Sequence, residues 1–261
     1  MTQLSNLPPK GTADWFPAEF KIRKHIFDTW RRVCQSYGFE EYLGPLVESI
    51  DIWKAKSGED VGGSELTQIT NREGQLDGLA IRPEMTPTVT RMVSRIWKET
   101  EKPLKWFSIA NFYRNEKPQK GRNREFWQLN CDIFGEDSLR ADIEVLTLAL
   151  ELLRAFNPPT ESYKLKLNHR KLITGFLSEV IGVTDEDAQK RITRLMDKYE
   201  KLSKVDFERL LHEIDEKAEM TLVEQFMEAR TVEDLQKHFI TLAGSESFRE
   251  FEEIITTLKQ L

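Results

Sequence analysis

Phe112-Tyr113-Arg114-Asn115-Glu116-Lys117-Pro118-Gln119-Lys120-Gly121-Arg122-Asn123-Arg124-Glu125 is the stretch on which the reading of this chain turns. Five cations fall between positions 114 and 124, and Pro118 and Gly121 keep the segment irregular. The flanks, Lys105 to Arg114 and Glu125 to Phe134, are extended in pattern, so the loop joins two strands. Arginine offers a planar fork that grips phosphate or carboxylate with two bonds, and lysine adds a mobile point charge. A cationic loop on a rigid hairpin suits a polyphosphate or an RNA end, although a charge run can equally be a solvated tip.

In the second strand Trp127, Leu129, Cys131 and Ile133 share one face, and Phe126, Gln128, Asn130 and Asp132 share the other. The Gln/Asn/Asp face could line a polar cleft, or it could face solvent as one side of an antiparallel sheet does. Upstream, Leu79-Ala80-Ile81-Arg82-Pro83-Glu84-Met85-Thr86-Pro87 carries a strand into a helix start through a cation, a carboxylate and a hydroxyl. Glu84 and Thr86 could bind an ammonium group there. Alternatively, Thr86 caps the helix and Glu84 favours its dipole.

Working outward, Asp14-Trp15-Phe16-Pro17 reads as a helix entry, with Ile22, Ile26, Trp30, Val33, Cys34 and Tyr37 at helical spacing and Gly38 as the stop. Phe39 to Ile50 is extended and broken at Gly44-Pro45, and a Gly-rich loop follows at 57–64. Leu66 to Thr70 and Leu76 to Arg82 read as a strand pair, with the helix of Val89, Met92, Val93, Ile96 and Trp97 behind it. Ser138 opens a helix whose expected buried face is Val145, Leu148, Ala149, Leu152, Leu153 and Phe156. Tyr163 to Asn168 alternates like one more strand, and beyond Thr184 only short acidic helices are expected, with a break near 243–245. The fold class expected is α+β: a mostly antiparallel sheet flanked by helices over 1–175, then a small all-helical domain over 176–261, the boundary lying near 173–184.

The net charge of -6 is uneven. Residues 184–261 hold 12 Lys+Arg against 19 Asp+Glu, and the remaining residues 26 against 25. Bulk attraction to a polyanion is therefore excluded as the main device, and a nucleic-acid contact would need local clusters. The N-terminus lacks a basic stretch followed by an apolar run, and no stretch is apolar enough for a membrane span, so a cytoplasmic location without membrane contact is expected. Cys34 and Cys131 sit in apolar segments and read as reduced core residues. The 4 histidines are scattered without zinc-ligand spacing, so no metal site is expected.

Lys10-Gly11-Thr12, Tyr37-Gly38-Phe39-Glu40 with Pro45, Arg82-Pro83-Glu84-Met85-Thr86-Pro87 and the loop from Arg114 to Gln128 occur in an order that resembles histidyl-tRNA synthetase, a class II aminoacyl-tRNA synthetase family. Segment 38–48, with Pro45, is similar to motif 1, which implies a homodimer interface. Segment 107–135 is similar to motif 2, which implies binding of ATP and the tRNA acceptor end. Asn168-His169-Arg170 resembles the strand end that precedes the family's helical insertion. The resemblance implies that Arg114 is catalytic and contacts the ATP α-phosphate and the histidine carboxylate, with Glu116 and Arg122 also binding ATP. It implies that Glu84, Thr86, Gln128 and Asp132 bind histidine, mainly through its α-ammonium group, where the family often has Glu at the position of Asp132. The implied reaction is attack of the histidine carboxylate on the α-phosphorus of ATP, with Mg2+ on the phosphates, then transfer of histidine to tRNA. Such catalysis rests on positioning and electrostatics.

No segment before Leu261 resembles motif 3, the Arg-Gly-Leu-Asp-Tyr-Tyr segment or the anticodon-binding domain. A truncated chain with little or no synthetase activity is the resulting expectation, since losing a transition-state arginine costs ~10²–10³ in rate by analogy with oxyanion donors. The alternative is a histidine-sensing regulatory subunit of ATP phosphoribosyltransferase, a synthetase paralogue. The filled motif 2 loop, with Arg114, Glu116, Arg122 and Arg124, favours the synthetase over a sensor.

Overall fold

Proline at a helix start satisfies φ in advance and forfeits only an N–H that has no partner there anyway. Accordingly α1 spans Pro17–Ser36 with Phe16 as its N-cap in the computed structural model, which describes residues 5–57, 66–159 and 161–260. Gly38, at φ +76°, takes the left-handed backbone that turns the chain out of the helix. β1 (Glu40–Glu41), β2 (Val47–Ser49), α2 (Asp51–Ser57), β3 (Thr67–Thr70), β4 (Leu76–Ile81) and α3 (Thr86–Ile96) follow. The long hairpin β5 (Leu104–Tyr113) and β6 (Glu125–Phe134) comes next, and then α4 (Leu139–Arg154). Most of the Gly-rich loop expected at 57–64 lies outside the described residues.

The strands form two three-stranded sheets, in the orders β1-β5-β6 and β2-β4-β3. Among the described residues every strand pairing is antiparallel except the two-residue β1–β5 contact. The β5–β6 register puts Trp106, Ser108, Ala110 and Phe112 opposite Asp132, Asn130, Gln128 and Phe126. The other face of this sheet, with Phe107, Ile109, Leu129, Cys131 and Ile133, packs on Val33 and Cys34 of α1 and Leu148 and Leu152 of α4. The Cys34 and Cys131 sulfurs lie 3.7 Å apart in this layer, in thiol hydrogen-bond contact without a disulfide. Met85, Val89, Val93 and Tyr42 cover parts of the inner face.

The chain divides into two compact units, Met1–Pro158 and Pro159–Leu261, a division earlier than the expected 175/176. The physical reason is that Leu172 and Ile173 of α5 (Arg170–Gly175) belong to the helical core, with Phe176, Leu177, Ile192, Phe207 and Leu211. A π-helical turn, Phe176–Ile181, continues α5, and α6 (Glu186–Met196), α7 (Lys204–Ile214), α8 (Met220–Glu228), α9 (Val232–His238), α10 (Ile240–Ala243) and α11 (Glu246–Lys259) complete the second unit. Asp185, Ser203, Thr231 and Ser245 cap four of these helices, Thr231 within a full capping box, which explains why such short acidic helices hold.

Several local expectations fail. Residues 163–168 form no strand, because alternation makes a strand only where a partner completes the ladder, and among the described residues none pairs there. Ile22 is 66% exposed, since the core that takes Val33 and Cys34 does not reach the first turns of α1. In α4 the buried positions are Leu148 and Leu150, while Ala149, Leu153 and Phe156 are exposed. Thr86 is the first helical residue of α3 rather than its cap, a place held by Met85 without a side-chain bond.

Candidate functional site

Arg82 is the pin of the first unit. It is 3% exposed, and its Nη1 donates to the carbonyls of Gly44 (2.8 Å) and Pro45 (3.3 Å) while Nε donates to Asn111 (3.0 Å). The guanidinium also stands 5.1 Å from the Phe112 ring. Burial pushes its pKa down from the usual arginine value, and the neighbouring Tyr42 opposes this. Arg82 thereby ties the break at Gly44-Pro45 to β5. Its own backbone continues the seam, donating to Leu46 and accepting from Tyr113.

Arg114 leaves the end of β5 and turns inward. Its Nε donates to the Pro83 carbonyl at 3.1 Å, and its guanidinium lies 5.0 Å from the Phe126 ring. That bond brings the cationic loop to the turn that carries Glu84 and Thr86. Glu84 is half-buried there, and Thr86 is exposed at the N-terminus of α3.

The loop is folded back on itself. Gln119 and Arg122 exchange backbone bonds at 3.1 and 3.0 Å around Lys120-Gly121, with Gly121 at φ +78° as a type II turn requires. Glu116 and Arg122 form an ion pair, so two of the three expected ATP-binding residues meet. Arg124 Nε donates to the Glu116 carbonyl at 2.9 Å. The Gly11 carbonyl accepts from the N–H groups of Arg124 (2.8 Å) and Glu125 (3.0 Å). Gly11 has φ +90°, and a Cβ there would fall 2.9 Å from Arg124 Cγ, so the N-terminal segment clamps the loop at a point that only glycine fits.

Gln128 and Asp132 both point to the inner face, opposite Ala110 and Trp106. They are four residues apart along β6, roughly 13 Å between Cα atoms at ~3.3 Å per residue. The structure therefore groups Arg114, Glu84 and Thr86 at one end of this face and sets Asp132 at the other, with Gln128 between. Around Asp132 stand polar groups that the sequence did not single out as a set: Tyr42, Ser108 and Asn130. The Tyr42 N–H donates to the Phe107 carbonyl at 2.9 Å, and its ring lies 5.5 Å from Trp106, the cross-strand partner of Asp132. Burial raises the Asp132 pKa above the ordinary carboxyl value, and Tyr42 partly offsets this. Burial likewise raises the Tyr42 pKa. Reading the β6 alternation across to β5 would have found Ser108, but nothing local marks Tyr42. Among the described residues, no group of three or more His, Cys, Asp and Glu side chains is placed to hold a metal ion. No described helix is long and apolar enough to cross a membrane.

The histidyl-tRNA synthetase family model matches residues 11–261. A histidine–tRNA ligase of Leptospira biflexa is 41% identical over 198 residues, covering 76% of this chain and 45% of the relative. One from Opitutus terrae is 34% identical over 246 residues, covering 94% of this chain and 55% of the relative. This chain thus spans about half the length of the relatives it matches. Among solved structures, a histidyl-tRNA synthetase from Nostoc sp. PCC 7120 superposes with a TM-score of 0.79 at 22% identity, covering 99% of this chain and 59% of that one. A Bacillus halodurans protein described as an ATP phosphoribosyltransferase regulatory subunit/histidyl-tRNA synthetase gives 0.76 at 20%, covering 100% and 66%. At those identities the structures establish the shared fold, and the family match over most of the sequence establishes the rest: this chain belongs to the histidyl-tRNA synthetase family.

Proposed function

We propose that this chain is the amino-terminal part of a histidine–tRNA ligase, and that its inner sheet face binds histidine beside ATP. The observation that carries the reading is the Arg114–Pro83 bond, because it sets the motif 2 cation against the Glu84–Thr86 turn. Arg114 then meets the carboxylate of histidine and the α-phosphate of ATP, where charge develops as the mixed anhydride forms. Glu84, Thr86 and Gln128 take the α-ammonium group. Asp132, at the far end of the face, takes the side chain of the amino acid, a placement that follows from its separation from Gln128. Glu116 and Arg122 hold the nucleotide, and the remaining loop cations face the acceptor end of tRNA.

Mg2+ enters with the triphosphate, whose oxygens suit it; among the described residues no carboxylate cluster stands ready for it. Dimerisation through the segment around Pro45 and a cytoplasmic setting belong to the same proposal, as does the 159–261 unit as the family's helical insertion. In the second reading, a histidine-sensing regulatory subunit, the fold shared with the Bacillus halodurans protein is the supporting observation. Calorimetric titration with histidine, then with ATP and magnesium, separates the two, using Arg114→Ala as control. Binding of both ligands, with ATP lost in the variant, supports the ligase. Histidine binding alone supports the sensor, and failure of both sinks the proposed site in this chain.

A further inference from the structure

The inner face holds a group of buried oxygens of which the proposed function has used only that of Asp132. Tyr42 Oη, Ser108 Oγ, Asn130 Oδ1 and Asp132 Oδ2 are all buried, and none has a hydrogen-bond partner of full geometry among the described residues. Ser108 is wholly buried. Three strands bring these groups together: Ser108 faces Asn130 across β5–β6, Asp132 faces Trp106, and Tyr42 packs on Trp106 just past β1. Tyr42 is near enough to Asp132 and Ser108 to interact with both, although neither contact reaches hydrogen-bond geometry. Buried polar oxygens are ordinarily paired, and those left without partners mark a strained or a ligand-facing place. The chemistry of this set is mostly accepting: a carboxylate and an amide oxygen beside two hydroxyls that can turn either way. It matches a partner with N–H donors.

We propose that Tyr42 is a positioning residue for Asp132: its hydroxyl donates to the carboxylate and turns the other oxygen toward the N–H of the substrate side chain. Ser108 supports the Tyr42 oxygen, and Asn130 closes the rim on the β6 side. The inference rests on the reading that histidine lies on this face. Among the described residues, Arg82 and the Cys131 thiol also bear electrostatically on Tyr42, and Cys131 is next to Asp132 in the chain. α3 contributes apolar Met85, Val89 and Val93 at this layer. In water-poor surroundings a bond to an ionised carboxylate counts for more than one between neutral groups.

Tyr42→Phe keeps the ring against Trp106 and removes only the hydroxyl. The test measures the Asp132 carboxyl titration by carbon-labelled aspartate NMR and the histidine affinity against pH. Both are followed in the wild type, Tyr42→Phe, Asp132→Asn and the double variant. The expected result is an Asp132 midpoint moved upward in Tyr42→Phe and histidine binding weakened about 10-fold near neutral pH, the size of a charge-assisted bond. The same Tyr42→Phe change should have little effect in the Asp132→Asn background, which a purely structural role would not reproduce. An unchanged Asp132 titration overturns the proposal whether or not histidine binds. Equal losses in both backgrounds overturn it too. A shifted titration in a wild type that does not bind histidine refutes the ligand reading while leaving the Tyr42–Asp132 pair intact as structure alone, which also sinks the positioning role.

Discussion

Replacing Arg82 by Met should unfold the first unit far more easily than its small change in volume suggests. Methionine retains an apolar stem of similar length, so the loss is concentrated in the guanidinium. That group donates to three carbonyls, of which Gly44 (2.8 Å) and Asn111 (3.0 Å) are well placed and Pro45 (3.3 Å) is long. Two good bonds from a charged donor at ~1.5 kcal/mol each make about 3 kcal/mol, the buried carbonyls then being left without a donor. With a urea m-value of about 2 kcal/mol/M, the midpoint should fall by about 1.5 M. The assay is convenient, because all 6 tryptophans lie between Trp15 and Trp127 and fluorescence therefore reports the first unit alone. Histidine binding should weaken as well, since Arg82 holds the strand end from which the Pro83 carbonyl meets Arg114. A midpoint shift under about 0.5 M, at an unchanged m-value, would refute the idea that this cation pins the Gly44-Pro45 break to β5.

Gly11→Ala forces an L-residue to φ +90° beside Arg124 Cγ, and should cost about 1–2 kcal/mol in the same urea assay while reducing ATP affinity several-fold by loosening the clamped loop. Asp132→Asn should leave the fold more stable than wild type at neutral pH, because burial raises the native carboxyl pKa above the ordinary 3.8. The native state then binds the proton more tightly than the unfolded chain, so wild-type stability falls as pH rises from the unfolded value through the native one. Urea midpoints of both proteins should converge below pH 3.8 and separate above it. A gap that is constant with pH would contradict the burial of an ionisable Asp132.

Much of the framework that carries the candidate site was legible because its signals are local. The alternation of Trp127 to Ile133 and the loop punctuation at Pro118 and Gly121 predicted β5, β6 and their connection to within a residue, since a strand's two faces and a turn's backbone angles are set by neighbouring residues. The ion pair of Glu116 and Arg122 fits their six-residue spacing across a folded loop. Where local signals misled, a distant partner was missing or unseen. Residues 163–168 alternate but pair with no strand among the described residues, and Ile22 repeats at helical spacing beyond the reach of the core.

By itself, then, the amino-acid order determined most of the strands and helices, though not α2 or the absence of a strand at 163–168, together with the family they resemble and that the cations of 114–124 share one loop. It also determined the short capped helices beyond 184, because caps and helical periodicity act over one or two turns. Only the tertiary structure decided that Arg82 is a buried pin rather than a ligand-binding cation, that Gly11 locks the loop from a hundred residues upstream, and that Tyr42 packs on Trp106, the cross-strand partner of Asp132. These depend on contacts between residues far apart in the chain, and no local pattern encodes which distant carbonyl or carboxylate a side chain will meet once the sheet has closed.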